Sequence, residues 1–386
     1  MHRCGYCDFN TFAGLDHLIP RYAEAVCREL ELISAACPDP MPVHTIYFGG
    51  GTPSLLPIIS LEKILSSIDR NLKSTILPEI TLEANPGTVS EGYLADLQTL
   101  GVNRLSIGMQ SANPDELTLL ERQHTFADVV NAVDWARVAG FTNLNLDLIY
   151  GLPNHTMSSW MQSIDAALSL GPEHLSLYAL TLEDGTPLQR KIKIGIFPEP
   201  DPDLAADMYD AASDWLAEAG YIQYEISNWA KRDPHGELLA CQHNLQYWRN
   251  QAYLGLGAGA HGFINSKRTV NVASPQAYIR RMENNQEKSS EICVFPQTPA
   301  SIEIQSIDRE AEIGETMMTG LRLVLEGVSD QDFSTRFGMH LKDRFSNEID
   351  RLTRLDLLGW AGEKADVLRL TRRGRLLGNQ VFREFI

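Results

Sequence analysis

Five short apolar segments, each followed by a helical stretch, fill the first half of this 386-residue chain and restrict the folds open to it. Residues 43–48 (VHTIYF) are β-branched and aromatic and run into GGGTPS, which reads as a buried strand feeding a glycine turn. Residues 61–72 have helical apolar spacing, and residues 79–84 (EITLEA) read as the next strand. Ser90 is placed to cap a helix that runs through Leu100 and stops at Gly101. Residues 103–108, 143–150 (NLNLDLIY) and 174–180 (HLSLYAL) read as three further strands. Helical segments at 126–139 and 158–170 separate them, ended by Gly140 and Gly171. Near-continuous apolar strands alternating with helices call for a parallel sheet with helices outside. A helix over 21–36 precedes the first strand, and in such a layout a strand would normally stand ahead of that helix as well.

After Thr181 the pattern changes. Residues 187–203 hold several prolines and read as a connector, 204–219 as a helix. Residues 225–262 are rich in aromatics, His, Gly and Asn and read as an irregular functional segment. Residues 301–325 read as helical, and 331–386 as a helix–helix–hairpin–helix unit similar to a winged helix. The expected division is therefore 1–185, 186–300 and 301–386. With 44% hydrophobic residues the chain can bury a large core. No apolar run reaches the roughly 18 residues of a membrane span, and MHRCGYCDFN is not a signal peptide, so the expected location is cytoplasmic. A net charge of −17 disfavours whole-surface binding to nucleic acid, and leaves only a peripheral membrane contact open. Arg372, Arg373 and Arg375 form a local basic cluster that reads as a solvated helix face.

Of six cysteines only Cys4 and Cys7 are closely spaced. Cys27, Cys37, Cys241 and Cys293 are scattered, and disulfides are not expected in a cytoplasmic chain of this size. On its own, CGYC suits a redox pair, half a zinc site or part of an iron–sulfur site. In the wider run CGYCDFN it resembles the end of the CxxxCxxC motif of radical S-adenosylmethionine (SAM) proteins. The DFN resembles the HemW haem-chaperone family and its relatives, the oxygen-independent coproporphyrinogen III oxidases. The resemblance extends through GGGTPS, EANP, NRLSIGMQS, DLIYGLP, HNLQYW and LRLTRRGRLLGNQVF, which span essentially the whole chain. It implies a [4Fe–4S] cluster on three thiolates, with SAM on the open iron. Cys4 and Cys7 would be two of those metal ligands. The motif's first cysteine would fall immediately ahead of Met1, with Met1, His2 and Arg3 intervening. The expectation is that the natural protein continues upstream by one strand and one cysteine.

The same resemblance implies the SAM contacts. Gly50, Gly51 and Thr52 would receive the SAM amino group, glycine allowing backbone to approach a ligand closely. Glu83, at the end of its strand, would hydrogen-bond the ribose, against the alternative of a capping or salt-bridge role. Gln110 ends the NRLSIGMQ strand and would contact SAM. Arg122 would pair with the SAM carboxylate, against the alternative of a surface helix arginine. Asp147 is a charge inside an apolar strand, and a buried Asp needs a partner; the resemblance places it near the ribose. Tyr6, between the cysteines, would neighbour the adenine. HNxxYW is typical of the HemW family, and makes His243 the candidate haem ligand, against a structural role for it and for His261. Cys241 reads as a buried thiol.

The expected fold is α/β: an incomplete (β/α)6 radical SAM barrel, its first strand missing, plus a C-terminal winged-helix-like α+β domain. The expected function is a haem chaperone that binds haem and a SAM-coordinated cluster and hands haem to haem-requiring membrane or respiratory proteins. No catalytic residue is assigned. The competing readings are a coproporphyrinogen III oxidase, and a nucleic-acid-directed radical SAM protein, which the acidic charge opposes.

Overall fold

A computed structural model describes residues 3–37, 41–284 and 294–386. Met1 and His2 of the expected cluster motif, and Cys293, lie outside the described residues. The main sheet takes strands β1 (Pro42–Phe48), β2 (Lys73–Ala84), β3 (Arg104–Gln110), β4 (Leu144–Tyr150) and β5 (His174–Ala179) in sequence order, all parallel. It continues antiparallel through β6 (Ile222–Glu225) and β7 (Asn228–Ala230), in the order β1-β2-β3-β4-β5-β7-β6.

Side chains on a strand alternate between faces. Leu82, Leu105, Ile107, Leu144, Leu146, Leu148, Leu175 and Leu177 take one face and pack on helix residues such as Leu94, Leu97, Val129, Val133, Trp160 and Ile164. The other face carries Glu79, Thr81, Glu83, Arg104, Ser106, Asn145, Asp147, His174, Ser176 and Tyr178. The sheet therefore has an oily outside sealed by helices and a polar inside, the inverse of a simple sheet with one solvated face. The helix caps are those the sequence offers: Ser90 Oγ accepts from Tyr93 N at 3.3 Å, and Thr125 and Asp128 form a capping box.

Two expectations need correction. Residues 187–203 contain a helix, Pro187–Lys193, capped by Thr186; its proline sits in the first turn, where the missing N–H costs nothing. Residues 301–306 form strand β10 (Ser301–Ser306), the alternation of SIEIQS prevailing over helical spacing. The helix begins only at Arg309, after the cap Asp308. The strand closes a second sheet with β8 (His261–Ile264) and β9 (Lys267–Asn271), in the order β10-β9-β8. Nearby the N-terminal helix Ile19–Ala36 buries Glu29, which accepts from Gly257 N, Asn271 Nδ2, Tyr278 OH and Thr298 Oγ1.

The C-terminal unit has the expected helix–helix–hairpin–helix order. Helices Asp330–Phe337 and Leu341–Arg354 lead to β12 (Leu358–Ala361) and β13 (Val367–Leu370), with β11 (Val328–Ser329) on the other side of β13. Its own core includes Ile313, Phe333, Phe345, Ile349 and Phe382. The basic cluster is exposed at Arg372 and Arg373, as expected, and it also makes contacts. Arg372 pairs with Asp210 and Asp214, and Arg375 donates to Gln223 Oε1, so both dock this unit onto the helix Pro202–Glu218 and β6. Among the described residues no helix is long and apolar enough to cross a membrane.

Candidate functional site

The C-terminal ends of β1–β4 converge on one mouth. After β1, Gly50 and Gly51 have φ of 76° and 62°, a conformation that side chains disfavour. Gly50 N donates to Glu83 Oε2 at 3.1 Å and Tyr47 OH donates to Glu83 Oε1 at 2.9 Å, so Glu83 lies directly beneath the glycine loop. Burial, and then the charge of Asp147, push the Glu83 carboxyl above its ordinary value. Thr52 closes the loop, its carbonyl accepting from Leu55 N at 3.1 Å.

Both oxygens of Asp147 are engaged. It accepts from Asn145 Nδ2 at 2.8 Å and Ser106 Oγ at 3.1 Å, and burial raises it. Asn145 Oδ1 in turn meets His174 Nδ1 at 2.6 Å and Ser176 Oγ at 3.0 Å. An amide oxygen only accepts, so His174 Nδ1 carries the proton and Nε2 accepts from Tyr224 OH at 2.8 Å. Burial holds His174 well below its usual range, hence neutral.

Gln110 ends β3 with φ of 66°, at a shift in the β3–β4 register. A strained non-glycine residue at a strand end marks a site held for function. Gly108, two residues back, has no room for a side chain: a Cβ there would meet Gln110 Nε2 at 2.9 Å and Arg122 Nη2 at 3.1 Å. Arg122 Nη2 donates to Gly108 O at 3.0 Å, Nη1 lies 3.6 Å from Cys4 Sγ, and the buried Nε has no partner. Arg122 thus links the cysteine turn to the end of β3.

In that turn Cys7 N donates to Cys4 O at 3.2 Å, and both thiols are partly exposed. Tyr6 packs against Leu120, Ile149 and Leu152, and burial pushes its hydroxyl up to about 12. Two supports of the turn escaped sequence reasoning. Leu188 N, in the helix Pro187–Lys193, donates to Gly5 O at 2.8 Å. Asn10 Nδ2 donates to Ala258 O at 3.2 Å and Ala273 O at 2.9 Å, pinning the DFN segment to the glycine-rich loop. The asparagine of DFN and the run LGLGAGAHG were visible signals, but their pairing spans most of the chain.

His243 lies at the other end of the strands. Its backbone N–H donates to Glu79 Oε1 at 3.0 Å, its Nδ1 meets Thr45 Oγ1 at 2.8 Å and its Nε2 meets Tyr247 OH at 2.9 Å. The ring also stacks on Tyr47, centroids 4.9 Å apart, and burial lowers its pKa to about 4. Both ring nitrogens are engaged, so neither is free for iron. In this structure His243 packs the helix start against β1. Cys241 is a fully buried thiol, as expected.

A radical SAM superfamily model matches residues 1–167 and a HemN C-terminal domain model matches residues 307–377. The haem chaperone HemW of Bacillus subtilis is 37% identical over the whole chain and 96% of its own length. The haem chaperone HemW of Mycobacterium tuberculosis is 36% identical over the whole chain and 92% of its length. This chain belongs to the HemW family. The fold is also that of the radical SAM enzyme HemN, coproporphyrinogen III oxidase of Escherichia coli, at a TM-score of 0.80 with 21% identity, covering 100% of this chain and 87% of that one.

The family's cofactors are a [4Fe–4S] cluster and SAM, and the mouth can be tested against both. For SAM the fit is good: two glycines without side chains, two buried carboxylates, and an arginine whose Nε has no protein partner. For the cluster, Cys4 and Cys7 offer two thiols on one turn, with Arg122 Nη1 3.6 Å from Cys4 Sγ. Among the described residues no group of three or more metal-ligating side chains forms.

Proposed function

We propose that this chain is a haem chaperone that binds haem together with a SAM-coordinated [4Fe–4S] cluster. The supporting observation is the full-length likeness to HemW haem chaperones, joined to a polar mouth built from the residues their family motifs contain. Cys4 and Cys7 would supply two of the cluster's thiolates. Gly50, Gly51 and Thr52 would receive the SAM amino group, and Arg122 its carboxylate. Glu83 and Asp147 would accept from the ribose hydroxyls. Gln110 would contact SAM through its amide, and Tyr6 would flank the adenine. The bound cluster supplies an electron for reductive cleavage of SAM. Arg122, with Nη1 3.6 Å from Cys4 Sγ, would stand between the two sites.

In this reading the protein works in the cytoplasm and passes haem to haem-requiring proteins, respiratory ones among them. Nucleic acid has no place in it: the chain carries −17, and all three clustered arginines make contacts within the chain. The test compares this chain with one extended upstream to include the motif's first cysteine, each reconstituted anaerobically with iron and sulfide. The longer form should hold about four irons and bind haem. Sustained conversion of coproporphyrinogen III would overturn the chaperone reading in favour of an oxidase.

A further inference from the structure

Next to the SAM residues, the polar face of the sheet continues beyond β4 into a wall that the SAM assignment leaves unused. Tyr178 shares the inward face of β5 with His174 and Ser176, yet it is 43% exposed, because the mouth is open above it. Ser176 pairs with Asn228 and Asn228 with Glu225 in the antiparallel ladder. Directly opposed residues in such a ladder point to the same face, so Asn228 and Glu225 also face inward. Both are nearly fully buried, and Glu225 Oε2 and Asn228 Oδ1 have no hydrogen-bond partner. Unsatisfied acceptors at that depth are costly and rare.

Arg322 completes the wall. It follows the helix Arg309–Gly320, and its guanidinium carbon lies 4.5 Å from the Trp248 ring centroid and 5.5 Å from that of Phe382. Trp248 is the tryptophan of HNLQYW. Several half-buried arginines of the chain are paired in ion bridges: Arg137 with Glu173, Arg268 with Glu315, Arg336 with Glu312. Arg322 has no such bridge among the described residues, and its buried Nε lacks any partner. The aromatic pair holds the side chain and leaves its donors unspent. Burial depresses its pKa, partly offset by the Glu225 charge. Burial lifts the Glu225 carboxyl to about 7, which leaves it able to carry a proton and donate at neutral pH.

We propose that Arg322, held by Trp248 and Phe382 beside Tyr178, Asn228 and Glu225, anchors a carboxylate arm of a tetrapyrrole whose macrocycle lies against Tyr178. The inference rests on the haem-chaperone reading and names the group by which the ligand is held. Charge-assisted hydrogen bonds from arginine to carboxylate are strong and geometrically selective, and haem carries two such arms. The HNxxYW element then acts in two ways: His243 packs the helix, and Trp248 presents the arginine.

The test is a Soret titration of the full chain with haem and with haem dimethyl ester, in which both carboxylates are blocked. The wild-type chain should prefer haem by about tenfold or more, the scale of one charged hydrogen-bonded contact. Arg322→Ala should lose that factor for haem, leave the ester unaffected, and so abolish the preference. Arg322→Gln, which keeps planar stacking without charge, should do the same, and Arg322→Lys should retain part of it. If the wild-type chain binds both ligands equally, or if Arg322→Ala and Arg322→Gln keep the preference, the anchor is wrong while the chaperone reading stands. If the wild-type chain binds neither ligand, the chaperone reading fails and takes the anchor with it. The wild-type comparison needs no variant, so it decides even if the substitutions disturb folding.

Discussion

The two ends of the same parallel strands have opposite characters. At the starting end, Thr45, Glu79, Asn145 and His174 meet Cys241, His243 and Tyr224 in a closed set of hydrogen bonds. Glu79 alone satisfies the thiol of Cys241 and the backbone N–H groups of Gln242 and His243, where the helix Gln242–Trp248 begins. At the finishing end, Gln110 is strained, Arg122 keeps an unpartnered Nε, and Tyr178 is open. Both ends are polar, and composition does not separate them. The starting end finds most of its partners within the protein, Arg104 Nε being a buried exception, whereas the finishing end leaves its groups facing an open mouth. The closed end is built for stability and the open end is left for ligands.

Substitutions at the two ends should therefore move different observables. The largest effect belongs to the open end. Cys4→Ser or Cys7→Ser should abolish retention of iron after anaerobic reconstitution of the upstream-extended chain, while the thermal midpoint of the iron-free protein stays within a degree or two, about what a loss below 0.5 kcal/mol would give. Full iron content in either variant would remove that cysteine from the ligand set.

At the closed end the prediction reverses. Glu79→Ala leaves two helix-start N–H groups and a thiol without their acceptor. The cost should be about 2–3 kcal/mol, from a lost cap and unsatisfied donors, read as a lower urea midpoint. SAM affinity of the folded fraction should not change. A drop in SAM affinity at unchanged stability would break the division between the ends.

Glu225 lies between these cases. Its carboxyl faces Arg322, Asn228, Tyr178, Tyr209 and Tyr224, and burial lifts it to about 7. A carboxyl raised in the folded state favours folding fully below its unfolded value, and that contribution is lost as pH rises through about 7. Wild-type stability should therefore fall relative to Glu225→Gln between pH 5.5 and pH 8, by on the order of 1–3 kcal/mol. Parallel curves for the two proteins in paired denaturation series would show that Glu225 does not titrate there.

Gln110→Gly should do the opposite of a damaging mutation. It relieves a positive φ, and the gain, partly offset by the freer unfolded chain, should be up to about 1 kcal/mol. SAM affinity, measured calorimetrically on the loaded protein, should weaken about tenfold with loss of the amide. A stabilised variant with unchanged SAM affinity would assign the strain to the β3 bulge alone.

The sequence made part of this division legible. Asp147 stood out as a charge in an apolar strand, Glu83 and Gln110 as polar residues at strand ends, and the cap Ser90 by residue type. The alternation in NLNLDLIY and HLSLYAL also marks which face is polar, although the strands read as near-continuous apolar runs. Asn145, His174, Tyr178 and Arg322 carried no local signal, because their roles depend on partners far away in sequence. The helix Pro187–Lys193 was hidden by a proline that reads as a breaker but sits where helices accept it. HNLQYW was recognisable as a unit, but a motif reports that residues matter without saying whether for packing or for a ligand.

His243 is where that ambiguity is sharpest, and it carries the smallest expected effect on ligand binding. His243→Ala removes hydrogen bonds to Thr45 and Tyr247 and the stack on Tyr47, so the midpoint of unfolding should fall by an amount equivalent to about 1–2 kcal/mol. Haem affinity of the folded protein should stay within about twofold, because neither ring nitrogen is free and neutral His243 has no charge to offer. A tenfold loss of haem affinity with an altered Soret position would mean that the ring leaves Thr45 and Tyr247 to ligate iron. The closed end would then open during the working cycle, and the contrast between the two ends would describe only one state of the protein.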